Sequence, residues 1–296
     1  MHDMAVSTTQ LTILSSMADQ DFERALDRHR AWGISHLDLR DGIYGKWLAD
    51  VTRAEAAEAA ASIRARGLAV HCLSTGVFFD DIRKGRDAFV DQHLPMLDHI
   101  LGLAEELQPH FVRLIAAQLP ERDRRGNAID LVARDHPWVF DVYREAIDRV
   151  AAAGFRPTIE NEYGDCILSS VAEFRQFFAA LDRPESVGLT WDVQNQWSTG
   201  VFPTMEVYEG LRDLIEYYHV KGGRSADGSR RLAWNVALEE ADWAVLDITR
   251  RVVDDGVSPV ICINPPQHGA PIDDYDYAGV TERDLRFLRD HVKGIA

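Results

Sequence analysis

Four side chains that could bind a divalent ion stand at or near the ends of short apolar runs in the second half of the chain. Glu160 lies in TIENEYGD, which starts at residue 158, and Asp192 ends VGLTWD. His219 lies in YYHVK and Asn264 ends VICIN. Two carboxylates, an imidazole and an amide oxygen form a mixed donor set that suits manganese, magnesium, cobalt or zinc. A lone strand-end aspartate is more often a helix cap, so the prediction of one divalent ion, with manganese favoured, rests on the set.

The runs that carry these residues belong to a regular alternation of strand and helix patterns. The predicted strands cover residues 11–16, 35–40, 68–74, 110–116, the stretch that begins at 158, 187–192, 215–221 and 260–264. Near-continuous apolar strands are typical of a parallel sheet covered by helices. Eight such units in 296 residues predict an α/β fold, a (β/α)8 TIM barrel that forms one domain over residues 1–296. A doubly wound sheet fits less well, because no glycine-rich phosphate fingerprint follows the first strand.

This arrangement explains how distant residues could meet. In such a barrel the functional side chains lie at the carboxyl ends of the strands, and neighbouring strands are about 4.8 Å apart. Side chains from the ends of strands five to eight are therefore expected to converge. One connection, residues 118–136, is polar and unusually long, which predicts a lid or an interaction loop.

Composition and charge restrict the class of partner. The formal net charge of −16 argues against nucleic acid and against anionic membranes. No apolar run approaches the roughly 18 residues of a membrane span, and no secretory signal is visible. The cysteines Cys72, Cys166 and Cys262 lack metal-site spacing, so we expect buried free thiols and a cytoplasmic protein.

Four longer motifs resemble the xylose-isomerase-like TIM barrels, in the sugar phosphate isomerase/epimerase branch. They are HLDLRDGIYGKW, TIENEYGD, TWDVQN and YYHVKGG. The resemblance covers nearly the whole chain and implies metal ligands on strands five to eight, at Glu160, Asp192, His219 and Asn264. The last is a departure, because the family has a glutamate there.

Further departures surround this site. Glu162 stands where the family often has histidine, Asn195 where a D-x-x-H motif would end, and Gly222 where an acid often follows HVK. The extra histidines of the family's DNA-repair branch are not found. His36, His71 and His110 stand at the beginning or middle of their strands, away from the expected site.

Asn264 changes the expected chemistry. The family's two glutamates bind the metal and exchange protons with adjacent sugar carbons, whereas an amide cannot take a proton. The resemblance therefore implies one-base chemistry, either isomerisation or β-elimination from a keto-sugar. The residues predicted to take part in proton transfer are Glu160, Glu162, Lys221 and His268.

Basic, amide and aromatic residues at or beyond strand ends could bind a polar substrate. Arg113 lies inside an apolar run and therefore needs a buried partner or a ligand. Aromatic rings suit sugar C–H faces or an aromatic aglycone. The predicted substrate-binding residues are Arg40, Tyr44, Trp47, Arg113, Asn195, Trp197 and Arg224.

These observations predict a metal-dependent sugar isomerase or epimerase that removes a proton next to a carbonyl. A lyase that cleaves a keto-glycoside or C-glycoside is the first alternative, and a non-catalytic barrel that binds a sugar or a partner is the second. The expected partner is a small-molecule carbohydrate, with an unphosphorylated one favoured. A homo-oligomer or a small partner subunit is compatible with the sequence.

Overall fold

Eight parallel strands form the centre of the molecule in a computed structural model. It describes residues 8–122, 126–226, 231–233, 236–264 and 276–296. The barrel strands are β1 (Gln10–Ile13), β2 (His36–Leu39), β3 (Ala69–Ser74), β4 (Phe111–Ile115), β5 (Arg156–Glu160), β6 (Gly188–Asp192), β7 (Ile215–Val220) and β8 (Val260–Ile263). They pair in the order β1-β8-β7-β6-β5-β4-β3-β2. A parallel bridge between Leu14 and Asp38 links the two outer strands. The sheet is thus a nearly closed barrel, which confirms the predicted fold.

Helices follow the strands and cover the outside of the barrel. The helix Arg53–Ala65 begins at Thr52, whose side chain accepts a hydrogen bond from the backbone N–H of Glu55 while the Glu55 carboxylate returns to Thr52. The other α-helices are Ser15–Ala18, Phe22–Ala31, Arg86–Leu107, Ala128–Asp135, Trp138–Ala152, Val171–Leu181, Val193–Ser198, Met205–Leu211, Val245–Asp255 and Tyr277–His291.

Two small antiparallel hairpins lie in the connections after β2 and β7. Asp41–Ile43 pairs with Lys46–Trp47, and Arg224–Ala226 pairs with Arg231–Ala233. Both follow the carboxyl end of a barrel strand, so they extend the face on which a site is expected.

The prediction of a continuous loop over residues 118–136 is wrong in part, because Ala128–Asp135 is a helix. The Asn127 side chain accepts a hydrogen bond from the backbone N–H of Ile129, and Ile129 and Val132 are buried. This N-cap and the two apolar residues at helical spacing stabilise the helix. The polar composition of the whole segment had instead favoured a loop.

Backbone hydrogen bonds join the connections after β3, β4 and β5. Gln118 donates to the carbonyl of Asp80 at 2.8 Å and accepts from Ile82 at 3.1 Å, while Leu119 donates to Asp165 at 2.8 Å. These bonds fix three loops against one another at the carboxyl end of the barrel.

The three cysteines are buried and free, which confirms that prediction. Within the described residues, we find no helix with the length and apolar character that a bilayer crossing requires.

Asp284 offers a prediction about stability. It is 3% exposed and accepts a hydrogen bond from the backbone N–H of Leu238 at 2.7 Å. Burial raises the pKa of Asp284 to about 7, to which nearby Glu239 and Glu240 add. The folded state therefore holds this proton more tightly than the unfolded state, and stability is lost as the pH rises through about 7.

We expect Asp284→Asn to raise the melting temperature by several degrees at pH 8, because the variant has no carboxylate to ionise. At pH 4 the difference should largely vanish. Thermal denaturation at both pH values measures this, and equal shifts at the two would contradict the assignment.

Candidate active site

Three buried side chains converge at the carboxyl ends of β5, β6 and β7. Asp192 and His219 are register partners on adjacent strands, and Glu160 ends β5. His219 Nδ1 lies 3.1 Å from Glu160 Oε1 and 3.9 Å from Asp192 Oδ2. One ligand atom from each residue lies within 4.8 Å of the others. The structure therefore brings together three of the four residues predicted to bind metal.

The donor set fits a divalent ion. Glu160, Asp192 and His219 are at most 1% exposed. Neither ring nitrogen of His219 has a hydrogen-bond partner among the described residues. Buried polar atoms are normally satisfied, so a ring nitrogen that lies beside two carboxylates without a hydrogen-bond partner is typical of a ligand site. With this oxygen and nitrogen set, magnesium, manganese, cobalt and zinc all remain suitable.

Arg113 supplies the buried partner for Glu160. Its guanidinium donates to Glu160 Oε2 and, at 2.8 Å, to the carbonyl of Thr75. Burial by itself would raise the pKa of Glu160, but the positive charge of Arg113 and the contact with His219 lower it to about 2. Glu160 is therefore held as a carboxylate.

Asp192 has two separate contacts. Its Oδ1 accepts a hydrogen bond from the backbone N–H of Asn195 at 2.9 Å, which caps the helix Val193–Ser198. Its Oδ2 lies 2.6 Å from Lys221 Nζ. Burial raises the pKa of Asp192, and the charge of Lys221 opposes that rise. Asp192 is thus both a helix cap and a member of the charged cluster.

Asn195 connects Glu162 with Lys221. Its amide nitrogen donates to Glu162 Oε1 at 2.7 Å, and its amide oxygen accepts from Lys221 Nζ at 3.3 Å. Burial and the negative charge of Glu160 raise the pKa of Glu162 to about 7. Glu162 is not among the three residues whose ligand atoms converge. It is a second carboxylate, fixed beside the candidate metal centre.

A cavity of about 180 Å³ opens above these residues. Most of the predicted site residues line it. The lining residues are Leu14, Arg40, Trp47, Thr75, Gly76, Phe79, Arg113, Ile115, Glu160, Glu162, Tyr163, Asn195, Lys221 and Asn264. The cavity thus combines carboxylates, cations, amides and aromatic rings at one place, and the roles of these residues stay predictions.

The structure does not bring three predicted substrate-binding residues to the cavity lining. Trp197 is 2% exposed and packs against Phe202, with ring centroids 4.9 Å apart. Tyr44 packs edge-on against Phe22, and Arg224 donates to the carbonyl of Glu240 at 2.9 Å. Their aromatic and basic character serves packing and loop contacts. His268 lies outside the described residues.

Sequence reasoning missed Thr75, Tyr163 and Asp38. Thr75 directly follows β3, and Tyr163 lies shortly after the end of β5. Their positions just beyond strand ends could have identified them as residues of the site. Asp38 is a fully buried carboxylate inside an apolar strand, and this combination could have singled it out.

The sequence pattern of the xylose isomerase-like TIM barrel family matches residues 22–291. The chain belongs to this family. The resemblance inferred from the four motifs is therefore confirmed, although no curated protein sequence matches the chain.

Solved structures share the fold at low sequence identity. A xylose isomerase-like TIM barrel protein from Mycobacterium smegmatis, in complex with magnesium, has a TM-score of 0.68 and 17% identity, covering 100% of both chains. The 3-keto-D-glucoside 4-epimerase from E. coli has a TM-score of 0.66 and 14% identity, covering 96% of this chain and 99% of the other.

A third structure is a probable 3-DHS dehydratase from Bacillus anthracis. It has a TM-score of 0.69 and 13% identity, covering 95% of this chain and 98% of the other. Similarity at this level establishes the fold of the barrel. The neighbours are mostly enzymes of different reaction types, so the reaction must be inferred from the residues of the site.

Proposed function

We propose that the protein is a divalent-metal-dependent enzyme that removes a proton next to the carbonyl of a sugar or keto-sugar. The observation that carries the proposal is that a candidate metal centre and a further carboxylate meet at one cavity. Glu160 lines the cavity and converges with Asp192 and His219, while Glu162 lines the cavity outside that group. Proton abstraction next to a carbonyl needs both an electrophile and a base.

A bound divalent ion would polarise the carbonyl oxygen and stabilise the negative charge that develops there. Glu162 would accept the proton from the adjacent carbon, since Asn195 holds its carboxylate at the cavity wall. Lys221 and Arg113 place two positive charges at the same cavity, where they would stabilise developing negative charge on the substrate.

The shape of the cavity supports a small polar substrate. Its volume of about 180 Å³ is smaller than the roughly 300–1,000 Å³ of sites for drug-sized ligands, which favours a small substrate such as a single sugar. Trp47, Phe79 and Tyr163 line its wall and remain 37–48% exposed, so aromatic surface faces the entrance. Such rings bind the C–H faces of sugars or an apolar aglycone.

Of the possible reactions we favour isomerisation or epimerisation, which the epimerase among the structural neighbours supports. An elimination catalysed by a lyase is the second candidate, and Asn264 favours it. Asn264 lines the cavity at the end of β8, where the resemblance to the family would place a second base. An amide cannot accept a proton from carbon, so the reaction would have to use a single base.

Incubating the metal-loaded protein with a panel of keto-sugars in heavy water tests the proposal. Deuterium at a carbon next to the carbonyl, with the carbon skeleton intact, would show an isomerase or epimerase. Loss of water or an aglycone would show a lyase. A purified and reconstituted protein without any bound divalent metal would contradict the proposal and favour a non-catalytic barrel.

Asn264→Glu should tighten metal binding, because a charged oxygen replaces a neutral one at the cavity. We expect an affinity gain of roughly tenfold, as ligand charge count governs the affinity of oxygen sites. Calorimetric titration with manganese measures it. Asn264→Gln, which has the same length without the charge, is the matched control. Equal affinities in the two variants would place residue 264 away from the ion.

A further inference from the structure

A buried histidine on an outer helix contacts the loop that forms one wall of the cavity. His93 lies on the helix Arg86–Leu107 and is 1% exposed. Its Nδ1 accepts a hydrogen bond from the backbone N–H of Phe78 at 3.1 Å. A backbone N–H can only donate, so Nδ1 carries the lone pair and Nε2 carries the proton of the neutral ring. Burial lowers the pKa of His93 to about 4, so the ring is neutral at pH 7.

The second ring nitrogen of His93 faces a carboxylate of the same loop. Nε2 lies 3.8 Å from Asp80 Oδ2, while the other oxygen of Asp80 binds Lys84 Nζ. At 3.8 Å the contact is too long for a hydrogen bond, but a carboxylate favours the N–H that the bond to Phe78 already requires at Nε2. Both contacts therefore agree on one orientation and one tautomer of the ring.

Phe78 has a backbone conformation that needs such support. Its φ of 74° lies in the left-handed region, which bulky residues rarely adopt. Its side chain is fully buried, and its ring packs against Phe89 and Tyr143, with centroids 5.3 Å and 4.5 Å apart. A strained backbone persists only where its surroundings hold it, and strained residues cluster at sites that bind ligands. Here the packed ring and the hydrogen bond to His93 hold Phe78 in place.

The residues on both sides of Phe78 line the cavity. Thr75 and Gly76 come before it, and Phe79 follows it directly. The Phe79 ring lies 5.8 Å from the ring of Tyr163, which lines the same cavity. The φ angle of Phe78 sets the direction of the chain that follows, so the place of the Phe79 ring depends on it.

We propose that His93 is a positioning residue that holds the Phe79 ring at the cavity entrance by binding the backbone of Phe78, and so sets the affinity for the substrate. The inference rests on the proposed function, in which aromatic rings at the entrance contact the sugar or its aglycone. His93 is not among the residues that line the cavity, so it acts through the loop. Its loss should weaken substrate binding and leave the chemical step nearly unchanged.

Hydrogen–deuterium exchange tests the hold on the loop without any sugar. His93→Leu removes the acceptor for the Phe78 N–H. His93→Asn is the matched control, because it loses the same ring while its amide oxygen can take the place of Nδ1. In the manganese-loaded protein, mass spectrometry should show the peptide that contains Phe78 exchanging roughly tenfold faster in His93→Leu than in His93→Asn, as expected for the loss of one buried hydrogen bond.

Steady-state kinetics on the keto-sugar found in the heavy-water experiment test the effect on binding. KM should rise roughly 3–10-fold in His93→Leu, the equivalent of one aromatic contact, with kcat nearly unchanged. His93→Asn should restore KM to near the wild-type value. Phe79→Ala should raise KM similarly, and adding His93→Leu to it should cause no further rise, since both changes remove the same contact.

Equal exchange rates and equal KM values in His93→Leu and His93→Asn would overturn the proposal, as would a further rise of KM in the double variant. If His93→Leu does not fold, NMR of wild type labelled with ¹⁵N-histidine decides the matter, with a His93→Asn spectrum to assign the signal. An Nε2–H tautomer of His93 supports the proposal, and an Nδ1–H tautomer overturns it. A wild type that converts no keto-sugar would instead contradict the proposed function, while the exchange measurement would still judge the hold of His93 on the loop.

Discussion

Replacing Glu162 by glutamine should lower turnover by roughly 10²–10⁴-fold, the usual contribution of a general base, while the metal content stays unchanged. The substitution preserves the shape of the side chain and its ability to accept a hydrogen bond from Asn195, but removes the site that takes up the proton. Because Glu162 lies outside the group of converging ligand atoms, metal binding should survive.

The measurement combines steady-state kinetics on the substrate found in the heavy-water experiment with elemental analysis of the same preparation. Glu209→Gln is the matched control, since Glu209 is exposed on the helix Met205–Leu211. Near-wild-type turnover of Glu162→Gln would clear Glu162 of the role and leave Glu160 as the remaining carboxylate base of the predicted set.

Replacing Arg113 by methionine should destabilise the metal-free protein by about 3–5 kcal/mol, the usual cost of removing one partner of a buried ion pair. Arg113 and Glu160 are 4% and 1% exposed, so little water can reach Glu160 to replace the guanidinium. Added manganese should raise the stability of Arg113→Met more than that of the wild type, because the ion supplies the positive charge that Glu160 has lost.

Thermal and urea denaturation, each with and without manganese, measure both effects. Arg53→Met breaks surface pairs with Glu105 and Glu106 and should change stability far less than Arg113→Met. In the absence of metal, the double variant Arg113→Met/Glu160→Gln should be more stable than Arg113→Met, since it also removes the carboxylate that has lost its partner. A single variant as stable as the wild type would show that the pair contributes little.

The sequence determined the architecture of the protein and the chemical types at its site. Eight apolar runs separated by helical patterns identify a (β/α)8 barrel because strand and helix periodicities are local properties of the chain. Glu160, Asp192 and His219 could be predicted as one group because parallel strands of a barrel present their carboxyl ends on one face. That inference needed the position of each residue in its strand and no knowledge of side-chain contacts.

The tertiary structure decided which side chains pair. Arg113 was expected to need a buried partner, but only the register of β4 against β5 places Glu160 beside it. Trp197 was predicted to bind substrate, and packing against Phe202 places it in the core instead. An arginine or a tryptophan is compatible with packing and with substrate binding, and the local sequence does not show which contact the fold selects. For Arg113 the deciding neighbour is 47 positions away in sequence.

Asp38 shows the same limit most clearly. It meets His219 only because the nearly closed barrel turns β2 and β7, which are not paired with each other, toward a common interior, across 181 positions of sequence. Sequence periodicity places a residue on an element and indicates which face it occupies. Contacts across the barrel depend on strand number, register and closure acting together, so they exist only once the whole sheet has formed.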